Sequence, residues 1–203
     1  MRFVGFILVV FAFLLTGHAA FADDEVKVRT ELYKESRALF SKGRFVELNA
    51  LAEKYRKDDE RTPSGVWKLK LSYSGLPIPN AKGDDPQWQT VEATYLKWIQ
   101  EHPSPMAHIA YAKMLIVHGW AYRGDGYAST VSDENWKHFY SYTSKAREYL
   151  LQHREDASID PEYYTTMIQL ATAEQWPKEA TAKLFAEALQ KHKYYYEIYF
   201  TRE

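Results

Sequence analysis

The sequence has no cysteine among its 203 residues and no marked excess of charge of either sign. The lack of cysteine excludes a disulfide scaffold, a cysteine-ligated zinc or iron–sulfur site and a thiol nucleophile. The 26 basic residues are balanced by 27 acidic ones, whereas proteins that bind a phosphate backbone carry clustered positive charge. We therefore expect no nucleic-acid partner and a fold that is held together by packing alone.

Residues 1–22 have the pattern of a secretory signal peptide. Arg2 and the amino terminus supply positive charge, Phe3 to Leu15 carry no charged or strongly polar side chain, and Ala20 to Ala22 form a small-x-small cleavage motif. An uncleaved membrane anchor is the alternative, but the apolar stretch is shorter than the roughly 20 residues that span a bilayer. There is also no Asn-x-Ser/Thr glycosylation motif. We expect an exported protein, periplasmic or secreted, with no stable membrane span after cleavage of the signal peptide.

Apolar residues in the remainder of the chain, residues 23–203, recur at helical spacing almost throughout. Gly43 separates two such stripes, as the left-handed residue after a helix end does. We predict a single all-α domain, a tetratricopeptide-like α-solenoid of antiparallel helical hairpins with about eight helices. The strict tetratricopeptide period is missing, because the candidate helix starts are irregularly spaced; they lie near Val26, Arg44, Pro86, Pro105, Ser132, Asp160 and Pro177.

Two residue types support these helix assignments. Ser132 and Asp160 are typical N-cap residues, and each is followed by acidic residues that complement the helix dipole. The chain is also rich in aromatic residues, with 16 Tyr, 10 Phe and 6 Trp. At helical spacing such rings pack between helices, so we predict helix–helix joints at Trp88, Tyr95 and Trp98.

The segment Val66–Tyr73 allows two predictions. Its large apolar residues, Trp67, Leu69, Leu71 and Tyr73, alternate with polar ones, which is the period of a strand. The same residues also allow a short helix that is buried on two sides. Because a strand needs a partner and no second alternating run is present, we predict a helix and keep the strand as the alternative.

Two long loops interrupt the array, Ser74 to Gln87 and Arg123 to Val131, and loops in a regular scaffold often carry function. Gly124 and Gly126 let the backbone turn sharply after a helix. Aromatic rings around the Arg123 guanidinium would form a pocket, so the candidate binding residues are Trp120, Arg123, Asp125, Tyr127 and Trp136. In the structural alternative, Arg123 caps its own helix and the two Trp side chains fill the joint between successive hairpins.

No catalytic, metal or cofactor site is expected from the motifs. The seven histidines include no HExxH motif, and the chain has neither a G-x-S-x-G elbow nor a glycine-rich phosphate loop after a strand. The acidic runs Asp58–Glu60 and Asp84–Asp85 lack the apolar surroundings that shift a pKa. We expect a module that binds a protein or peptide partner, without catalytic activity. The alternative is an enzyme or small-ligand receptor, for glycan or peptide, with its pocket around Trp120, Arg123 and Trp136.

The last stretch, Tyr194 to Phe200, is unusually aromatic. Left uncovered, it would expose an apolar patch to a partner, to a second copy in a homodimer or to a further segment of chain. Alternatively, the rings cover the end of the core and direct their hydroxyls outward.

Three stretches of the chain resemble a bacterial family of exported helical domains of unknown function. They are Gly43 to Phe45, Ser64 to Trp67 and, most specifically, the W-x-x-R-G-x-G stretch from Trp120 to Gly126. The resemblance extends from about Leu32 to Tyr199 and implies a tetratricopeptide-like helical array. In similar proteins the aromatic helix near residue 195 leads into more chain, which implies a truncated member here. No activity is attached to the family, so the resemblance implies no catalytic residue.

Overall fold

The computed structural model describes residues 24–201, so the predicted signal peptide lies outside the described residues. These residues form ten α-helices and one short 3-10 helix and contain no β-strand. In chain order the helices are α1 (24–41), α2 (Phe45–Lys57), α3 (Lys68–Ser74), α4 (Gln87–Glu101), α5 (Pro105–Arg123), α6 (Asp133–Gln152), α7 (Arg154–Ala157), α8 (Pro161–Ala173), α9 (Lys178–His192) and α10 (Glu197–Phe200), and the 3-10 helix is Ala128–Thr130.

The predicted all-α, solenoid-like class is confirmed, since helical hairpins pack in series over the part of the chain described. The described residues hold ten helices against the eight or so predicted; the aromatic stretch after Tyr194 contributes the short helix α10, and α7 is a single turn, too short for periodicity to detect. Most of the segment Val66–Tyr73 is helical, since α3 begins at Lys68 after the extended residue Trp67, and the strand alternative is wrong. Trp67 forms only an isolated antiparallel bridge with Arg61.

Local signals set the ends of several helices as predicted. Gly43 follows α1 with a φ of 66°, a conformation that glycine adopts without a Cβ clash. The Ser132 hydroxyl accepts a hydrogen bond from the Asn135 backbone N–H and caps α6. The Asp160 carboxylate likewise caps α8 through the Glu162 N–H. These caps satisfy backbone donors that have no partner within the helix.

Aromatic residues form the joints between the first hairpin and α4. Trp88, Tyr95 and Trp98 are all buried, which confirms the prediction for these three rings. Trp98 is stacked on Phe45 of α2, with ring centroids 5.7 Å apart, and Tyr95 lies 4.6 Å from Phe40 of α1. The aromatic surplus of the sequence is therefore used largely for core packing.

Helix α5 is the centre of the molecule and packs against α4, α6 and α8. Most of its residues are buried, as expected for a helix that is apolar around most of its circumference. The exceptions include Lys113, Val117 and Trp120, which recur at helical spacing and therefore share one stripe. On α8, Gln169 and Thr172 likewise interrupt an otherwise mostly buried helix. The two less buried stripes position the groove described below.

Between residues 24 and 201, no helix combines the length and apolar character that crossing a membrane requires.

Candidate functional site

Three of the five predicted binding residues meet at the C-terminal end of α5. The Arg123 guanidinium lies 5.4 Å from the ring centroid of Trp120 and 5.3 Å from that of Trp136. Its Nη1 donates hydrogen bonds to the carbonyl oxygens of Gly124 (2.9 Å) and Gly126 (2.6 Å). One cation thus joins the end of α5, the following loop and the start of α6.

The structural alternative, in which Arg123 caps its own helix, agrees with this geometry in one respect, because Arg123 donates hydrogen bonds to backbone carbonyls. Those carbonyls belong to the loop after α5 rather than to its last turn. The two Trp side chains are not closed into a joint either, since 45% of Trp120 is exposed. The rings therefore border open space.

The open space is a groove between α5, α6 and α8, which we call the aromatic end. It has a volume of about 600 Å³. Besides Arg123, its lining includes aromatic and aliphatic side chains of α5 and α6 and polar side chains in and just after α8: Ile116, Val117, Trp120, Trp136, Phe139, Tyr140, Gln169, Thr172 and Gln175. Such a lining, mainly apolar with a few polar groups, is typical of a ligand site.

The other two predicted residues lie elsewhere. Asp125 lines a separate depression of about 810 Å³, together with Tyr122, His138 and the loop residues Asn80 to Asp84. Arg123 lines both this depression and the aromatic end. Tyr127 is 85% exposed and lines neither. The structure therefore brings together Trp120, Arg123 and Trp136 and separates them from Asp125 and Tyr127.

A second cavity, of about 270 Å³, continues the aromatic end toward the N-terminal part of α8. We call it the charged end, because its lining includes Lys70, Lys113, Glu162 and Glu197. The two cavities share four lining residues, Ile116, Val117, Gln169 and Thr201. They therefore form one continuous groove, named here the α5–α8 groove.

The charged end is built from ion pairs that bridge distant parts of the chain. Lys113 of α5 pairs with Glu162 of α8, and Lys70 of α3 pairs with Glu197 of α10. The Tyr195 hydroxyl donates a 2.5 Å hydrogen bond to the other oxygen of Glu162. Because both carboxylates are buried, these partners are needed to offset the cost of removing the charges from water.

Burial acts differently on the two carboxylates at the start of α8. Burial alone would raise the pKa of Glu162, but the Lys113 ammonium and the Tyr195 hydroxyl outweigh it and hold that pKa below the ordinary value. Burial raises the pKa of Asp160 to about 6, although the Glu162 backbone N–H, Arg56 and Tyr73 oppose the shift. The negative charge of the neighbouring Glu162 side chain adds to the rise, and the Arg56 guanidinium, 3.7 Å away, offsets only part of it. Glu162 therefore stays ionised near neutral pH, whereas Asp160 titrates near pH 6.

Sequence reasoning missed the charged end. It assigned Asp160 and Glu162 to a helix start and drew no conclusion from Lys113. The available signal was that Lys113 is the only Lys or Arg in α5 before the helix end. A cation on a largely apolar helix needs an anionic partner when the helix is buried.

The Tyr-rich end is packed on one side and exposed on the other. Tyr195 and Ile198 are buried, whereas Tyr194 and Phe200 are 72% and 70% exposed. The expectation of hydroxyls directed outward is wrong for Tyr195, because Glu162 lies beneath it and accepts its O–H. Because these two rings are exposed, a homodimer that forms through this end stays a prediction.

The histidines with the strongest contacts are packed in the core. His118 is stacked on Trp88, with ring centroids 4.1 Å apart, and its Nε2 lies 2.8 Å from the Gly83 carbonyl oxygen. Burial lowers the pKa of His118, so the ring is neutral near neutral pH. Its contact with Gly83 holds the loop before α4 against α5. Within residues 24–201, no three His, Asp or Glu side chains are grouped so that they could hold a metal ion.

Comparisons of the chain with protein-family models, with curated proteins and with solved structures found no significant match. The resemblance to exported helical domains stays a prediction, and the functional argument rests on the α5–α8 groove.

Proposed function

We propose that this protein is an exported, non-enzymatic helical module that binds an extended peptide segment of a partner protein in the α5–α8 groove. The observation that carries the proposal is the continuity of the aromatic and charged ends over shared lining residues. Along α5 the groove runs from Lys113 to Arg123, which is about 15 Å at 1.5 Å per residue. An extended chain rises about 3.3 Å per residue, so the groove accommodates four to five peptide residues.

The aromatic contacts favour a peptide over a glycan. A sugar binds an aromatic platform through a free ring face, but Trp136 is already contacted by the Arg123 guanidinium and is stacked with Tyr140 at 5.6 Å. Trp120 also has Arg123 over its ring and the edge of Phe139 at 4.9 Å. Ring edges and aliphatic side chains remain, and these suit an apolar side chain of a peptide.

The acidic groups favour binding without catalysis. A general acid needs a raised pKa and access to the substrate. Glu162 lines the groove, but its pKa is lowered and Lys113 pairs with it. Asp160 has a raised pKa but is completely buried and lines neither end of the groove. Neither carboxylate thus combines the two properties.

Substitution of Val117 tests the proposal. This residue lies where the two ends of the groove meet and is 37% exposed, so Val117→Glu adds a buried charge to a bound complex with little effect on the free fold. We expect phage-displayed random peptides to yield binders for the wild type, and Val117→Glu to weaken their affinity at least tenfold in isothermal titration calorimetry.

The matched control is Val46→Glu, on the exposed face of α2, where the valine is 58% exposed. It should leave peptide affinity unchanged, and both variants should retain the wild-type circular dichroism spectrum. Selection of no peptide, or equal loss of affinity in both variants, would contradict the proposal. Binding of cell-wall glycan fragments that Val117→Glu abolishes would favour the receptor for glycan instead.

A further inference from the structure

The two ion pairs of the charged end are oriented toward the groove in the same way. In the pair Lys70–Glu197 the side chains are 42% and 10% exposed, and in the pair Lys113–Glu162 they are 25% and 3% exposed. The cations are thus at the surface of the cavity and the carboxylates lie behind them. A molecule in the groove therefore meets ammonium groups first, although the formal charges balance.

The hydrogen-bonding groups have the same asymmetry. Both oxygens of Glu162 already accept a hydrogen bond, one from the Lys113 ammonium and the other from the buried Tyr195 hydroxyl. An ammonium has three N–H donors and no acceptor. Lys70 and Lys113 each donate to one carboxylate, so each ammonium has further N–H donors, and both lysines line the cavity. A ligand group that accepts hydrogen bonds and carries negative charge fits these donors.

We propose that the charged end receives a carboxylate of the bound peptide between the ammonium groups of Lys70 and Lys113, while an apolar side chain of the same peptide occupies the aromatic end. This inference rests on the proposed function and adds the chemical class of the ligand. The carboxylate is either a free C-terminus or an Asp or Glu side chain. A carboxylate fits better than a phosphate, because phosphopeptide sites typically use the planar fork of arginine, whereas this cavity presents two lysines.

The length of the groove determines the spacing of the two ligand groups. The stripe on α5 places Lys113 and Trp120 seven residues apart, or about 10 Å along the helix axis. In an extended peptide this distance corresponds to about three residues. The expected ligand therefore has an aromatic or large aliphatic residue about three positions from its carboxylate.

The experiment uses a random seven-residue library displayed with free C-termini. The peptide with the highest affinity is then synthesised in three forms: the free acid, the C-terminal amide, and the form with Asp and Glu replaced by Asn and Gln. We expect the loss of one carboxylate to weaken binding to the wild type roughly tenfold. The amide identifies a C-terminal carboxylate, and the Asn/Gln form identifies a side-chain carboxylate.

The protein variants are Lys70→Gln, Lys70→Arg and, as a matched control, Lys97→Gln. Lys70 is chosen because its partner Glu197 is the less buried of the two carboxylates, 8% exposed against 2% for Glu162, so its replacement costs less than that of Lys113. Lys97 is 61% exposed on α4 and lines neither end of the groove. Lys70→Gln should weaken binding of the peptide that carries the recognised carboxylate (the carboxylate form) roughly tenfold. It should leave unchanged the binding of the peptide in which that carboxylate is replaced by an amide (the neutral form). Lys70→Arg should retain most of the affinity, and Lys97→Gln should have no effect.

A purely structural role of Lys70 would weaken the carboxylate and neutral forms equally, and that result would overturn the inference. Equal affinity of the wild type for all three peptide forms would overturn it as well, while the proposed function would stand because peptides still bind. If the library yields no peptide, both proposals fail.

Discussion

The loop before α4 is held against α5 by close contacts of one residue, Gly83. The Gly83 carbonyl oxygen accepts a hydrogen bond from the ring of His118, and the absence of a side chain lets the Tyr122 ring lie directly against the glycine. Tyr122 is in turn stacked on His138 of α6, with ring centroids 4.2 Å apart. The close approach at one residue therefore holds together a loop and two helices.

Gly83→Ala is expected to destabilise the protein by about 1–3 kcal/mol, as overpacking does. A Cβ at this position would lie 2.3 Å from the Tyr122 ring, so the ring has to leave its stack. Urea denaturation measures the change. The control is Gly126→Ala, where the nearest atom is the hydroxyl of the exposed Thr130 at 3.0 Å, which can rotate away. Equal stability of Gly83→Ala and the wild type would show that the loop is not held by this contact.

At the scale of helices, one amide joins α2 to α4 and α5. The Asn49 Oδ1 accepts hydrogen bonds from the indole N–H of Trp98 (3.0 Å) and the Ser104 hydroxyl (2.7 Å). Its Nδ2 donates to the His102 carbonyl oxygen at 3.0 Å. Asn49 therefore satisfies the buried indole, the N-cap of α5 and the C-terminal end of α4 together.

Replacement of this amide should be costly, because it leaves several polar groups without partners. We expect Asn49→Ala to lower the free energy of unfolding by about 2–4 kcal/mol, since each buried unsatisfied group costs about 1–3 kcal/mol. Thermal and urea denaturation provide the measurement. Asn80→Ala, at an exposed asparagine in the loop before α4, should change stability by less than about 0.5 kcal/mol. A similar effect of both substitutions would refute the role of Asn49.

At the scale of the whole molecule, buried polar groups connect the N-terminal hairpins to the C-terminal end. Asp160 caps α8, lies 3.7 Å from Arg56 of α2 and accepts a 3.1 Å hydrogen bond from Tyr73 of α3. Glu162, two residues farther along, pairs with Lys113 and accepts a hydrogen bond from Tyr195. The start of α8 thus contacts α2, α3, α5 and the chain just before α10. Tyr73, Lys113 and Glu162 of this network also line the charged end, so the proposed binding site and global stability share these groups.

Asp160 should make stability depend on pH. Its pKa is about 6 in the folded protein and 3.8 as the ordinary value, so the folded state binds the proton more tightly between these values. The contribution of this group to stability is therefore full below about pH 4 and falls as pH rises to 6. Asp160→Asn keeps a good N-cap but does not titrate. Its stability relative to the wild type should rise by up to about 3 kcal/mol from pH 4 to 7.

Urea denaturation at several pH values measures this difference. Asp59→Asn, which removes the carboxylate of an exposed aspartate, is the matched control. Parallel stability curves of the wild type and Asp160→Asn would exclude the assigned pKa.

The amino-acid sequence alone predicts the all-α class and the helix ends marked by Gly43, Ser132 and Asp160, and it favours a helix over a strand for α3. These features depend on periodicity and on hydrogen bonds within a few residues, which a linear chain already contains. It also groups Trp120, Arg123 and Trp136 as candidate binding residues, since they flank a single loop between α5 and α6.

The α5–α8 groove and its charged end could not be predicted from the sequence, because they form only when distant helices pack together. Lys70 and Glu197 are 127 residues apart in the chain, and Glu162 and Tyr195 are 33 apart. No local pattern pairs such residues, because a buried charge is stabilised by whichever partner the packing of the helices brings near it. The separation of Asp125 and Tyr127 from the Trp residues also depends on tertiary packing. The chain turns at Gly124, which has a positive φ, and the direction of the loop after it depends on how α5 and α6 pack.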